Sequence, residues 1–392
     1  MIGSSPLLRA SRMDSSIQQL SAGRMRSVLL TRSGQALGCG AIKTARPDLP
    51  PQVLADLCIT DASEVGHNRF AQPLLRPLHP GVTFRSVADA PLHTLGVTAE
   101  GAVLSCQPLT GDAAQAAAAR RPMAGLPGDV RQVLAGDARS HALCASGAVW
   151  SWGLRPLGLP GQGATAEAPH LQSGLPPVAE LAAGLGHALA LSRDGRVWAW
   201  GANAAGQLGQ GDLQQRAQAQ PLTIDARIVA IGAGDTHSLA VDEQGRLWAW
   251  GANNKGQLGP RHDGRPAQPY EPRPVRIRLD APLAQVDGGM FYSAARTRNG
   301  ELYTWGWNGL GQLGRDAVDA APLPTRLMQL RNVQTLSAGQ GHVLALVDDA
   351  VIAWGDNRSA ACGLPASQAV VAAPRRLDWG VDVSSQQQER RA

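Results

Sequence analysis

The sequence predicts an all-β fold: a seven-bladed β-propeller of four-stranded antiparallel blades, closed by strands from both termini. Three observations predict it. One unit recurs along the chain, each copy alternates large and small residues with the period of a strand, and the tryptophans are concentrated in the repeat. Repetition also explains how 392 residues can form one body, since single compact cores stop growing at about 250–300 residues.

The clearest copy is VAELAAGLGHALALSRDGRVWAWGANAAGQLG, residues 178–209, and it returns almost intact over 228–259. A weaker copy covers 283–314. With the glycine of the Ala-Gly pair as anchor, seven copies start at Gly23, Ala90, Gly136, Gly184, Gly234, Gly289 and Gly339. Six positions before each anchor stand Ile17, Phe84, Val130, Val178, Ile228, Leu283 and Val333. That column is apolar throughout, and so is the one three positions before the anchor.

Within a copy, His187, Leu189 and Leu191 alternate with Ala188 and Ala190, so the strand presents apolar residues on both faces. Asp194-Gly195 then supplies the positive-φ residue of a tight hairpin. The next strand, 197–201, puts Trp198 and Trp200 on one side. A turn through Asn203–Gly209 leads to a fourth, edge segment expected near Pro221–Ile224. Four short antiparallel strands, apolar on both faces and repeated seven times, pack as propeller blades; a solenoid is the other architecture that repeats would allow.

The ends complement each other. Pro374–Leu377 occupies an edge slot with no Ala-Gly strand after it, and Ile17–Gly23 is an Ala-Gly strand with no slot before it. This predicts a last blade completed by strands from both termini. The propeller domain is expected over 17–383, with an insert at 41–81, a flexible segment 1–16 and a flexible tail 384–392.

Of the 10 Trp, eight fall in two repeat columns, against only 3 Tyr and 3 Phe in the whole chain. They read as blade packing rather than as an aromatic binding surface. Net charge is +5, spread without a basic domain, which speaks against a nucleic-acid partner. No apolar run is long enough for a membrane span. Five cysteines, odd in number and without a CxxC pair, point to a reducing compartment and against zinc or a disulfide framework. A cytoplasmic protein is expected. The Ser- and Arg-containing start gives the alternative, an effector exported by a specialised system.

His187, His237 and His342, with His93 in a weaker copy, share one column three positions after the anchor. A residue recurring once per blade lies on a ring, whereas catalysis needs different groups converging on one point. Each is expected to fix its own blade by hydrogen bonds. Gly309–Gly314 matches GxGxxG formally, but it is the repeat's turn with an extra glycine and lacks the βαβ setting that a dinucleotide site requires. Asp56, Asp61, Glu64 and His67 in the insert lack a tight ligand spacing, and the Ala-rich Gln107–Arg121 reads as a connector. No cofactor, metal or catalytic residue is expected.

Departures from the repeat are where function should reside. The loop Pro260–Pro274 gathers Arg261, Arg265 and Arg273 around Tyr270, a mixture of arginine and aromatic that anchors protein interfaces. These four are the candidate partner-binding residues. In the strand that follows, Arg276 and Arg278 read as a charged edge that resists aggregation.

The pattern AGxxHxxAL…DGxVWxWGxNxxGQLG resembles the regulator of chromosome condensation repeat, most strongly over 178–314, clearly over 333–364 and weakly over 17–153. In the early copies Cys39 and Cys106 stand where Trp200 stands. The resemblance implies a seven-bladed propeller whose rim grips another protein, without enzymatic chemistry of its own; a monomer is expected. Guanine-nucleotide exchange on a small GTPase is the alternative it implies, but no insert aligns with the wedge that exchange-competent members carry. Photoreceptor members carry a Trp in a GWRHT segment. Here the segments are Gly184–Ala188 and Gly234–Ser238, so no light-driven change of oligomeric state is expected.

Overall fold

The computed structural model describes residues 16–40, 72–77, 81–89, 94–106, 122–136, 139–154, 166–316 and 319–377. Within them the chain forms 27 strands and no helix. The strands make seven antiparallel sheets, six with four strands and the second with three among the described residues. Each sheet is a blade. Seven inner strands, from Ile17–Ala22 to Val333–Ala338, line a central channel of about 380 Å³.

Blade 4 shows why the repeat folds this way. Val178–Ala183 pairs with His187–Ser192, which pairs with Val197–Gly201, and Arg216–Pro221 closes the outer edge. The outer strand therefore lies before the expected Pro221–Ile224. Leu222 instead bonds back to the Val197 carbonyl, turning the chain toward the next blade. The glycine after Trp200 has φ +107°, and an added Cβ would sit 2.3 Å from the Gly186 carbonyl. The register shifts at this point, so a bulge frees the third strand from the outer one and launches the NxxGQLG turn.

Blade 7 solves the hairpin differently. Its copy lacks the hairpin glycine, and Val347 pairs with Ala350 across a two-residue turn. Asp348 and Asp349 take φ +46° and +64° there, the two positive values that a tight hairpin of this length demands and that Asp tolerates.

The blades pack through apolar faces. Trp250, Leu208, Ile228 and Ile231 share one cluster between blades 4 and 5, and Trp305, Leu258 and Val286 share the next.

The ring closes where the first and last blades meet, but not by a shared blade. Val370–Arg376 pairs with its own neighbour Ala350–Asp356, and Ile17–Ala22 pairs with Arg26–Thr31. The expectation of a last blade built from both termini is thus corrected. The complementary ends are those of any junction between blades, where an outer strand finishes and an inner one begins. Ile17, Leu20 and Leu29 of blade 1 pack into one apolar cluster with Leu330, Val333 and Leu336 of blade 7. The Gln340 amide donates to the Gly23 carbonyl at 3.1 Å, and the Ala22 amide to the Ser337 hydroxyl at 3.0 Å.

Candidate functional site

The recurring histidines are buried and join neighbouring blades. His187 Nε2 lies 2.9 Å from Ser238 Oγ of blade 5, His237 Nε2 2.9 Å from Ser293 of blade 6, and His342 Nε2 2.9 Å from Ser27 of blade 1. The expectation that each fixes its own blade is corrected: each holds the next one. Each serine donates its single proton to a carbonyl, of Gln207, Gln257 and Ala361 respectively, at 2.7–2.8 Å. The imidazole must then be the donor to the serine, which fixes the Nε2–H tautomer and leaves Nδ1 as an unpartnered acceptor. Burial pushes the three imidazoles down to about 4, 3 and 4, so they stay neutral at pH 7.

The same carbonyls accept the tryptophan ring N–H: Trp250 donates to Gln207 and Trp305 to Gln257, both at 2.8 Å. Arg26 and Tyr292, which fill the histidine column in blades 1 and 6, serve the same end. Arg26 Nη1 donates to Thr94 of blade 2, and the Tyr292 hydroxyl to the Gly339 carbonyl of blade 7. His93 lies outside the described residues. The serines were not singled out from the sequence, although Ser27, Ser140, Ser238 and Ser293 form a column one position beyond the histidines.

The GQLG turn is equally structural. Asn203 Oδ1 accepts the Leu208 amide at 2.9 Å while its Nδ2 donates to the Asp212 and Gln214 carbonyls, and Gln207 Oε1 accepts the Ala205 amide. Asn308, just before the segment that matches GxGxxG, and Gln312 within it repeat the arrangement. No helix follows it, so the geometry of a dinucleotide site is missing there.

Polar side chains ring the channel. Gln19 donates to the Val87 carbonyl and accepts the Val87 amide, and Gln285 does the same to Leu336. Glu180 holds that position in blade 4 and hydrogen-bonds the Ile231 backbone; burial raises its carboxyl to about 7, with Asp287 adding to the rise. Asp287, accepting the Ala338 and Gly288 amides, is also raised to about 7 by burial. Asp89 is lifted to about 6 by burial against the opposing pull of Arg26. Among the described residues no group of three His, Cys, Asp or Glu could hold a metal ion. Asp56, Asp61, Glu64 and His67 lie outside them, as do Gln107–Arg121 and most of the 41–81 insert.

The expected Pro260–Pro274 loop is corrected: residues 260–269 form the loop, and Tyr270–Arg276 form the outer strand of blade 5, with Tyr270 paired to Ala252, so Tyr270 and Arg273 stand on the strand and the strand ends before Arg278. The Pro272 carbonyl of the strand takes the Gly211 amide at 2.7 Å and the Pro269 carbonyl of the loop takes the Asn253 amide, so this segment lies along the turn end of blades 4 and 5. Arg261 turns inward, bonded to Glu271 at 2.8 Å and Asp263 at 2.6 Å. Arg273 covers Gly211, where an added Cβ would meet its guanidinium at 2.5 Å. Arg265, with 77% of its side chain exposed, and Tyr270, 43% exposed, face outward.

These features, a ring of seven copies joined blade to blade by histidine, tryptophan and the GQLG turn, agree with a match to the RCC1-like domain over residues 54–389. The chain belongs to the RCC1-like domain family. It is 33% identical to the ultraviolet-B receptor UVR8 of Arabidopsis thaliana over 85 residues, 21% of this chain and 19% of that protein. It is 31% identical to the human regulator of chromosome condensation over 89 residues, 22% of this chain and 21% of that protein. Each match therefore spans about a fifth of the relative's length. Among solved structures, yeast RCC1 (Prp20) bound to Kap60 superposes with a TM-score of 0.60, at 19% identity over 94% of this chain and 76% of that one. Human WBSCR16 gives 0.59 at 18% identity over 93% and 83%. A further structure, of Prp20p from Saccharomyces cerevisiae, is described with its binding to Gsp1p and histones. In this RCC1-like ring the candidate loop is a departure from the repeat, set on a scaffold whose recurring polar residues hold turns and join blades.

Proposed function

We propose that this RCC1-like propeller is a non-enzymatic, monomeric protein-binding ring whose partner contacts the turn end at Arg265 and Tyr270. One observation carries the reading: the histidine and tryptophan columns join blades and the asparagine and glutamine side chains brace their own turns, whereas Arg265 in the loop and Tyr270 at the start of blade 5's outer strand face solvent. Arginine and tyrosine at an otherwise rigid rim are what protein interfaces use as anchors. Arg261 supports them by fixing Asp263 and Glu271 from within the loop. A reducing, cytoplasmic setting suits the buried free thiols Cys39, Cys144 and Cys362, with export as an effector the alternative.

The test is capture from lysate with the wild-type chain and with Arg265→Ala/Tyr270→Ala. A retained protein that is lost at least tenfold with the variant, at unchanged thermal midpoint, supports the loop. Equal retention removes it from the interface.

The second reading is exchange activity on a small GTPase, favoured by family membership and by the likeness to a propeller studied with Gsp1p. A captured GTPase should then bind best without nucleotide, and the chain should speed release of its labelled GDP. Indifference to nucleotide would leave the binding ring as the sole function.

A further inference from the structure

The contact that joins blades 4 to 5, 5 to 6 and 6 to 7 is the same each time. A third-strand tryptophan packs on the GQLG turn of the preceding blade: Trp250 with Leu208, Trp305 with Leu258, Trp354 with Leu313. Its ring N–H reaches the carbonyl just before that leucine, at 2.8 to 2.9 Å. Where blade 1 meets blade 7, the tryptophan position is Cys39 and the leucine position is Cys362.

The geometry of the contact is kept. Cys39 Sγ donates to the Ala361 carbonyl at 3.6 Å, in place of the tryptophan N–H, and that carbonyl carbon is bonded to the Cys362 nitrogen. The Cys362 thiol donates to the Asp356 carbonyl at 3.6 Å within its own blade. Both side chains are buried, at 1% exposure each, and neither is in a disulfide. This is also the junction that no linking peptide spans. We propose that Cys39 and Cys362 form a dithiol pair that oxidation converts into a disulfide stapling the first blade to the last.

The step is thiol–disulfide exchange with a low-molecular-weight disulfide of the glutathione class. One thiol loses its proton to solvent and its thiolate attacks the oxidant, forming a mixed disulfide and releasing one oxidant thiolate. The second cysteine thiolate displaces the other, giving the Cys39–Cys362 bond. Two electrons pass from the cysteine sulfurs to the oxidant, which leaves as two thiols. Burial pushes the Cys39 thiol up to about 12 and raises Cys362 as well. The closed ring therefore shields the pair, and exchange runs through a transiently opened seam. In a reducing compartment the pair stays open. Once formed, the bond constrains a loop of almost the whole propeller, which restricts the unfolded chain strongly in the loop-entropy view.

The experiment uses the full chain, incubated with glutathione disulfide in sub-denaturing urea so that seam opening does not limit the rate, then alkylated and digested. A Cys39–Cys362 linked peptide and a thermal midpoint at least ~5 °C above that of the reduced protein are expected. Cys39→Ala should abolish both and leave an unlinked Cys362. The proposal is overturned if the oxidised wild type yields no such peptide, with the two residues recovered as thiols, as separate glutathione adducts or linked elsewhere. A linked peptide without any change in midpoint overturns the stapling role.

Discussion

Glu180 shows how one atom changes the meaning of a position. Gln19 and Gln285 meet a backbone amide and a backbone carbonyl of the next blade, one with the side-chain oxygen and one with the side-chain nitrogen. A carboxylate can satisfy the amide but repels the carbonyl, whereas a carboxylic acid can donate to it as glutamine does. Burial raises Glu180 to about 7, in keeping with that need. Its folded value lies above the ordinary 4.5, so the native state holds the extra proton. The stabilising contribution is full below about pH 4.5 and is lost as pH rises through about 7. Glu180→Gln should stabilise the protein at pH 8 by up to about 3 kcal/mol, with the gain shrinking toward pH 4.5. Urea melts at the two pH values measure this, and a gain independent of pH would refute the protonated clamp. Ser238 offers a second residue-scale test. Ser238→Ala leaves the His187 N–H buried without an acceptor, at a cost of ~1–3 kcal/mol; a loss below ~0.5 kcal/mol would mean that the relay contributes nothing.

At the scale of the element, the GQLG turn explains why this stretch stood out in the sequence. Asn203 is fixed by three backbone partners at once, Leu208, Asp212 and Gln214, and only an amide side chain both accepts and donates there. Asn203→Asp keeps the acceptor but points a carboxylate at two carbonyls. It should cost ~2–3 kcal/mol, read as a fall in the denaturation midpoint, and a neutral result would show that the turn is held by other contacts. Columns of identical residues made the strands, hairpins and tryptophan packing legible, because each residue does the same task in every blade. The histidine partner was less legible: it sits in the next copy, some fifty residues away, and blade-to-blade pairing cannot be read from local periodicity. For the candidate site, the sequence groups Arg261, Arg265, Tyr270 and Arg273 in one stretch, but the structure divides them between a loop and the outer strand that begins at Tyr270. The sequence could not show that Asp263 and Glu271 draw Arg261 inward while Arg273 folds over Gly211, since those outcomes depend on how the loop docks on blade 4.

For the whole molecule, what matters is that among the described residues each blade is built from consecutive strands, so the ring is closed by packing and by single hydrogen bonds rather than by a strand ladder. The seam between blades 7 and 1 has the same inner-rim amide-to-carbonyl bond as the three junctions before it: Leu185 to Asp235, Asp235 to Gly289, Met290 to Gln340, and Gln340 to Gly23. The chain's break therefore falls at a junction geometrically similar to those joining blades 4 to 7. The connections at four of the others are uniform. From Leu171 to Val178, Pro221 to Ile228, Arg276 to Leu283 and Arg326 to Val333, six residues always lie between the outer strand and the next inner strand. By the ring's approximate symmetry, six residues should also bridge Arg376 to Ile17. A circular permutant with that bridge and with new ends in the exposed turn at Asp225–Ala226 should fold to the same ring, because such turns tolerate new termini and no blade is cut. Its far-ultraviolet spectrum should match the parent's, and its thermal midpoint should lie within a few degrees. The seam of the permutant moves to the junction of blades 4 and 5, where Trp250 and Leu208 replace the two cysteines, so oxidation should no longer change the permutant's midpoint by linking its ends. A permutant that is unfolded while the parent is folded would show that the ring depends on its native termini in a way that contiguous blades do not allow.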